Sequence, residues 1–351
     1  MRQLRLQDRT LTEDDVFVIA EIGSNHGGDP DLCERMICEA ARAGADAVKL
    51  QKRDNRAMFT KTALAKPYEN EFSYGKTYGE HRERLDWFGE AEFRRFKAVC
   101  DQLGVLFFAT PFEPGSAAFL HRLGMPLWKI ASCDVTNHPL VKQVASYGEP
   151  IILSTGGASL RDLAILCDKL NKWNPNYAVL HCVSLYPNQD HELNLATITR
   201  YRELLDDKLI GFSSHHPGVL PLMIARSLGA SIFEVHFTLN RATRGTDHGF
   251  SLEPHGLEKA VEDLQRVRTM LGSPEKSATL DAERRGFVSK MGKGVYLKRP
   301  LPLGAVVTPE DIVIKSPAGD GLKPYEADRI IGRELIADCS TGVDLGEGMF
   351  R

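Results

Sequence analysis

Eight short apolar runs, alternating with amphipathic segments between residues 17 and 272, leave this chain few folds to choose from. The runs are 17–22 (FVIAEI), 46–51 (DAVKLQ), 105–110 (VLFFAT), 127–132 (LWKIAS), 150–155 (PIILST), 178–184 (AVLHCVS), 209–214 (LIGFSS) and 231–237 (SIFEVHF). Their length and their content of Val, Ile, Leu and Phe read as strands buried on both faces. Helix patterns separate them, such as DPDLCERMICEAARAGA, which opens on Asp29 as N-cap with Pro30 in the first turn and closes on Gly44. Most strand starts fall ~20 to 32 residues apart, and the longer interval after the second strand reflects an inserted polar, aromatic loop over 52–88. Eight such βα units predict an α/β fold, a (β/α)8 TIM barrel over residues 1–272. The competing open sheet would need a G-x-G-x-x-G turn after the first strand, and GSNHGG lacks that spacing.

Beyond the last helix pattern the sequence changes character. Residues 273–287 read as a charged linker, and 288–351 as a small β-rich domain in which VYLK, VVT and DIVIK are separated by Pro and Gly turns. With 44 basic and 47 acidic residues the net charge is −3, and no basic stripe marks a nucleic-acid partner. No apolar run reaches the ~20 residues of a membrane span, and residues 1–15 are too charged for a signal peptide, so a cytoplasmic protein is expected. Seven cysteines without a C-x-x-C pair read as reduced, mostly buried thiols.

In a barrel of this kind the active site lies at the C-terminal ends of the strands. Unusual polar residues collect there: Glu21 on the first strand, Lys49 and Gln51 on the second, Thr110 on the third, Lys129 and Ser132 on the fourth. Ser154 follows on the fifth, Ser184 with Tyr186 just past the sixth, Ser213 and His215 on the seventh, and Glu234 and His236 on the eighth. Pairs spaced by two share a strand face, so both members can enter one cavity. His215 and His236 have the placement of a divalent-metal pair, with Mn²⁺ the best match and Mg²⁺ or Co²⁺ as alternatives. Lys49 and Lys129 with Ser132, Ser154, Ser184 and Ser213 form a cationic, hydroxyl-rich lining suited to a small phosphorylated acid.

The stretches FVIAEIGSNHGG, GADAVKLQ, ATPF, KIASCDVTN, ILSTGGA, FEVHFTL and TDHGFSLEP resemble the N-acetylneuraminate (sialic acid) synthase family, including spore-coat polysaccharide synthases. The region KMGKGVYLKRPLPLGAVVTPEDIVIKSPAGDGL resembles that family's C-terminal antifreeze-like (SAF) domain. The resemblance implies metal-assisted condensation of phosphoenolpyruvate with the open-chain aldehyde of an N-acyl hexosamine, giving a nine-carbon 2-keto-3-deoxy acid and phosphate. It further implies that His215 and His236 hold the metal, and that Lys49, Lys129, Ser132, Ser154 and Ser213 hold phosphoenolpyruvate. Glu21 falls on a carboxylate near the reacting centre, and Gln51, Thr110, Tyr186, Glu234 and Asp247 on sugar- or metal-facing positions. A domain-swapped homodimer is the implied assembly.

Three positions depart from the family pattern. Ser214 stands where an aspartate is common, Ser184 where an asparagine often contacts ligand, and Ser316 in KSPAGDG where an arginine contacts the sugar. The cations of KRDNR, 52–56, hint at a phosphorylated sugar but read first as a solvated charged face. Two other readings compete with condensation: a Schiff-base aldolase using Lys49 or Lys129, and a non-catalytic carbohydrate-binding protein.

Overall fold

The computed structural model describes residues 2–275, 283, 286, 287 and 289–351. The chain divides into two compact units, Met1–Leu271 and Gly272–Arg351. The linker expected at 273–287 falls largely outside the described residues, as does residue 288 at the start of the expected second domain.

The first unit opens with an antiparallel hairpin, β1 (Gln3–Arg5) and β2 (Thr10–Thr12), that the sequence reading did not anticipate. All eight expected strands then form: β3 (Phe17–Gly23), β4 (Ala47–Lys52), β5 (Leu106–Pro111), β6 (Trp128–Ile130), β7 (Ile151–Ser154), β8 (Tyr177–Cys182), β9 (Ile210–Ser214) and β10 (Ile232–His236). They make one eight-stranded sheet in the order β5-β4-β3-β10-β9-β8-β7-β6. Every ladder is parallel, and β10 pairs with β3, so the last strand returns to the first. The two ends of that order, β5 and β6, lie in contact, which makes a nearly closed TIM-type barrel.

Burial explains the apolar runs. β3, β7, β8, β9 and β10 are buried at every residue, with helices on the outer face and side-chain layers within. The hairpin sits at the N-terminal ends of the strands. Leu4 and Leu11 join the barrel core, Arg5 exchanges two backbone hydrogen bonds with the Asn176 side chain just before β8, and Arg9 pairs with Asp46 just before β4. That end is therefore structural.

Two expectations need correction. The 52–88 segment is not a plain loop but contains three short helices, Asn55–Met58, Lys61–Leu64 and Tyr78–Asp86. The first is capped by the Asp54 carboxylate, the second by the Thr60 hydroxyl and the third by a Thr77–Glu80 capping box. Ser132 and Ser184 are not strand residues. β6 stops at Ile130 and Ser132 opens a 3₁₀ turn, while β8 stops at Cys182 because the Asn188 amide takes the Val183 and Leu185 carbonyls.

The turn after β3 is equally specific. Asn25 donates to the Phe237 carbonyl and to Ser251 Oγ, both at 2.9 Å, and so ties this turn to the chain after β10. His26 Nδ1 accepts from Gly28 N at 3.0 Å while its ring lies 4.4 Å from that of Phe88. Gly28 has φ +75°, and a Cβ there would collide with the Arg84 carbonyl.

The second unit has its own core, formed by Val295, Leu297, Val307, Ile330, Leu335 and neighbours. β11 (Gly294–Leu297) and β12 (Ile312–Lys315) pair antiparallel, and single bridges join Leu301 to Cys339, Val306 to Glu334 and Leu335 to Phe350. The Asp344 carboxylate accepts from Gly321 N at 2.7 Å, and a Cβ at Gly321 would press on the Leu345 carbonyl. Among the described residues no helix is long and apolar enough to cross a membrane. All seven cysteines are free, and Cys133 is exposed.

His26 contributes a testable pH dependence to the fold. Burial lowers its pKa from 6.5 to about 4, so the unfolded chain takes up that proton first as pH falls. Its stabilisation is full above pH ~6.5 and is lost as pH falls toward ~4, by roughly 3 kcal/mol. Denaturant titrations of His26→Gln should show a flatter pH dependence across that window than the parent protein, and an unchanged slope would place the titrating group elsewhere.

Candidate active site

The C-terminal ends of the strands enclose a cavity of about 510 Å³, and each of the fourteen residues anticipated as site residues lines it. A larger depression, about 670 Å³, opens beside it past Arg53. Its other charges, including Lys52, Arg56, Glu83 and Glu113, pair with one another or with backbone, and the other strand-end residues are absent from it. Chemistry belongs in the smaller cavity.

Its floor is a cluster of four buried charges. Lys49 Nζ lies 2.5 Å from Glu21 Oε2 and 3.6 Å from Glu234 Oε1, and donates to Thr110 Oγ1 at 3.0 Å. Lys129 Nζ donates to the Ile130 carbonyl at 3.1 Å and reaches Glu234 Oε2 only at 3.9 Å. The side chains of these four residues are 1–7 % exposed. Burial works against the Lys49 ammonium, but Glu21 and Glu234 outweigh it and hold its pKa above the usual lysine value. For Lys129, with one distant carboxylate and Lys49 nearby, burial wins and the pKa falls. Burial would raise the Glu234 pKa, yet the two lysines reverse the sign and keep it ionised. Lys129 is thus the underpaired cation.

Hydroxyls surround this cluster. Ser213 Oγ lies 3.5 Å from Glu234 Oε1, and Ser132 Oγ accepts from Gly156 N at 2.9 Å. Ser184 lies against Gly156, whose missing Cβ makes room for it. Ser154 Oγ is buried without a hydrogen-bond partner, as is Glu234 Oε2. Buried polar atoms left unpaired in a cavity wall are suited to meet a polar ligand. Thr155, next to Ser154, instead donates to the Leu180 carbonyl and turns away from the cavity.

The two imidazoles stand on adjoining strand ends with ring centroids 5.3 Å apart. His215 Nδ1 is 2.9 Å from the Val183 carbonyl, which can only accept, so that nitrogen carries the proton. Burial and His236 lower the His215 pKa to about 4, which makes the ring neutral and leaves Nε2 as a lone pair. His236 Nδ1 is buried with no hydrogen-bond partner and lies 3.6 Å from Asp247 Oδ2. Two imidazoles beside a carboxylate fit a divalent ion that keeps positions for other ligands. Among the described residues no three His, Cys, Asp or Glu groups are drawn together as a closed cage. His216 turns outward to Asp190, 3.0 Å away.

The rim combines strand ends with loops. Gln51 Nε2 donates to Glu21 Oε1 at 2.8 Å, which fixes that carboxylate from the second side. Tyr186 is half exposed, with its ring 3.9 Å from that of His215, and burial of its hydroxyl pushes the phenol pKa up. Two rim cations escaped the sequence reading. Arg53 is 9 % exposed, not part of a solvated face, and Arg82 is 8 % exposed on the helix Tyr78–Asp86. Arg53 follows Lys49 and Gln51 at the same two-residue spacing, a signal that could have found it; Arg82 had none.

Residues 36–276 match the model of the NeuB family and residues 292–343 match the SAF domain. The N-acetylneuraminate-9-phosphate synthase of Homo sapiens is 35 % identical over 320 residues, covering 91 % of this chain and 88 % of that protein. The N,N'-diacetyllegionaminic acid synthase of Legionella pneumophila is 32 % identical over 340 residues, covering 94 % and 93 %. The crystal structure of an N-acetylneuraminic acid synthetase from Leptospira borgpetersenii, in complex with citrate, superposes with TM-score 0.72 at 32 % identity, covering 82 % of this chain and 97 % of that one. These likenesses set aside the lysine aldolase and the non-catalytic binding protein. The chain belongs to the NeuB family, whose synthases condense phosphoenolpyruvate with a sugar.

Proposed function

We propose that this protein condenses phosphoenolpyruvate with the open-chain aldehyde of an N-acyl hexosamine, releasing phosphate and a nine-carbon 2-keto-3-deoxy acid. The observation that carries the reading is the buried floor, where Lys129 is underpaired beside the partnerless Ser154 hydroxyl and Glu234 oxygen. A carboxylate and a phosphate on a three-carbon frame would complete these groups. Lys49 and Lys129 offer charge, and Ser132, Ser154, Ser184 and Ser213 offer hydroxyls, so the enol carbon would face the rim.

The sequence of bonds then follows. C3 of phosphoenolpyruvate forms the new bond to the aldehyde carbon, water adds its oxygen at C2, and the tetrahedral centre expels phosphate by C–O cleavage. Glu21, held between Lys49 and Gln51, can orient the attacking water and accept its proton. Lys49 steadies that carboxylate and the negative charge arriving beside it. His215 and His236, with Asp247 adjacent, would hold a divalent ion, which supplies Lewis-acid polarisation of the aldehyde oxygen when bound. Tyr186 and Asp247 line the side where the sugar hydroxyls would lie.

Phosphate release should depend on both phosphoenolpyruvate and an N-acyl hexosamine, with a nine-carbon keto acid seen by mass spectrometry; release of pyruvate without coupling would overturn the reading. Glu21→Gln should lower kcat by ~100-fold while the phosphoenolpyruvate KM changes only a few-fold, as for loss of a positioned base. An unimpaired kcat would reduce Glu21 to a structural ion-pair partner. Exhaustive chelation should abolish turnover and Mn²⁺ should restore it; undiminished activity after chelation would remove the metal from the reaction.

A further inference from the structure

Lys49, Gln51 and Arg53 follow one another at two-residue intervals along β4 and just past its end, so they step outward at about 3.3 Å per residue. Lys49 belongs to the floor and Gln51 touches Glu21, which leaves Arg53 at the rim. Its guanidinium lies over the Phe112 ring, 4.1 Å from the centroid, and Nη2 donates to Gln51 Oε1. Nε is buried with no hydrogen-bond partner. The nearest carboxylate, Asp86, is 3.6 Å away and is already engaged by Arg82 in a two-pronged contact of 2.8 and 2.6 Å. Two buried guanidinium groups therefore share one carboxylate. Burial and the Arg82 charge lower the Arg53 pKa to about 10, so it stays cationic at neutral pH. A buried cation so poorly paired is costly unless a ligand completes it.

The proposed reaction, on which this inference rests, fixes where such a ligand comes from. Phosphoenolpyruvate's two anionic groups have the floor, with Lys49, Lys129 and the serine hydroxyls. The acceptor's aldehyde must meet C3 beside Glu21 and the imidazoles, so the rest of the open chain runs outward toward the rim. We propose that Arg53 reads a phosphate ester at the far end of the acceptor, and that the preferred substrate is an N-acyl hexosamine phosphate. Guanidinium groups bind such oxyanions through two parallel hydrogen bonds, and the ring of Phe112 keeps this one flat against the wall.

The experiment compares N-acetylmannosamine with its 6-phosphate on the full-length protein and on Arg53→Gln, by steady-state kinetics and by calorimetric binding in the absence of phosphoenolpyruvate. The parent should favour the phosphorylated acceptor in kcat/KM by at least tenfold. In Arg53→Gln that ratio should fall by about 10–100-fold through the acceptor KM, with the phosphoenolpyruvate KM moving far less. Calorimetry should show the same loss, and a thermal midpoint no lower than the parent's should show that the variant folds. Preference for the free sugar, equal loss on both acceptors, or an effect confined to the phosphoenolpyruvate KM would each overturn the proposal. Absence of turnover with either acceptor would refute condensation, while selective binding of the 6-phosphate by the parent alone would still uphold the role of Arg53.

Discussion

The contact between Lys49 and Glu21 is the constraint on which the barrel and the site both depend. An ion pair with both partners almost fully buried has shed its water, and its attraction repays that cost only with good geometry and further bonds. Here Thr110, Gln51 and Glu234 supply those bonds. Removal of one member of such a pair typically costs 3–5 kcal/mol, because the other is left charged in low dielectric. Strand register delivers the partners. Glu21 stands opposite Lys49 in the β3–β4 ladder and opposite His236 in the β10–β3 ladder, while Glu234 stands opposite Ser213. A slip by one residue would turn each of them toward the helices. Barrel closure through β10 and β3 is thus also assembly of the site.

The balance within the cluster bears on catalysis. The two lysines and two glutamates of the floor are equal in number, yet the cancellation is uneven. Lys49 is held by two carboxylates and Lys129 by one at nearly 4 Å. An anionic substrate would therefore find Lys129 more available, and Lys49 would keep Glu21 oriented without giving up its own charge. Groups fixed before the ligand arrives need no reorganisation during reaction, which is the main source of electrostatic catalysis.

Much of this arrangement is legible in the sequence because polar residues in an apolar strand are conspicuous. Glu21, Lys49, Lys129 and Glu234 stand out for that reason, and the two-residue period places Gln51 and His236 beside them. Legibility ends where the strand period ends. Ser132 and Ser184 lie in turns whose start is set by local hydrogen bonds, from Asn188 in one case, that composition does not reveal. Arg82 sits on a helix within an insert rich in charge, and only the burial of the Asp86 contact separates it from a solvated residue. The β1–β2 hairpin escaped notice because its three-residue strands contribute single buried leucines, too few for a period to show.

The same division separates reaction from specificity. Floor residues come from strands whose register leaves them no freedom, and they include the four buried charges. Rim residues come from segments that can change without disturbing a ladder: Tyr186 and Asp247 from turns, Arg53 from the residue after β4, and Arg82 from the insert. The relatives fit this pattern, since enzymes about one-third identical to the chain are named for different sugar acids. Ser316 is a partly exposed residue of the second unit whose hydroxyl accepts from Lys293 and donates to the Met291 carbonyl, so it offers no charge of its own where the family pattern has an arginine. Arg53, by contrast, is a cation fixed on the barrel's own wall, placed by its position just past strand β4 and by its approach to Asp86.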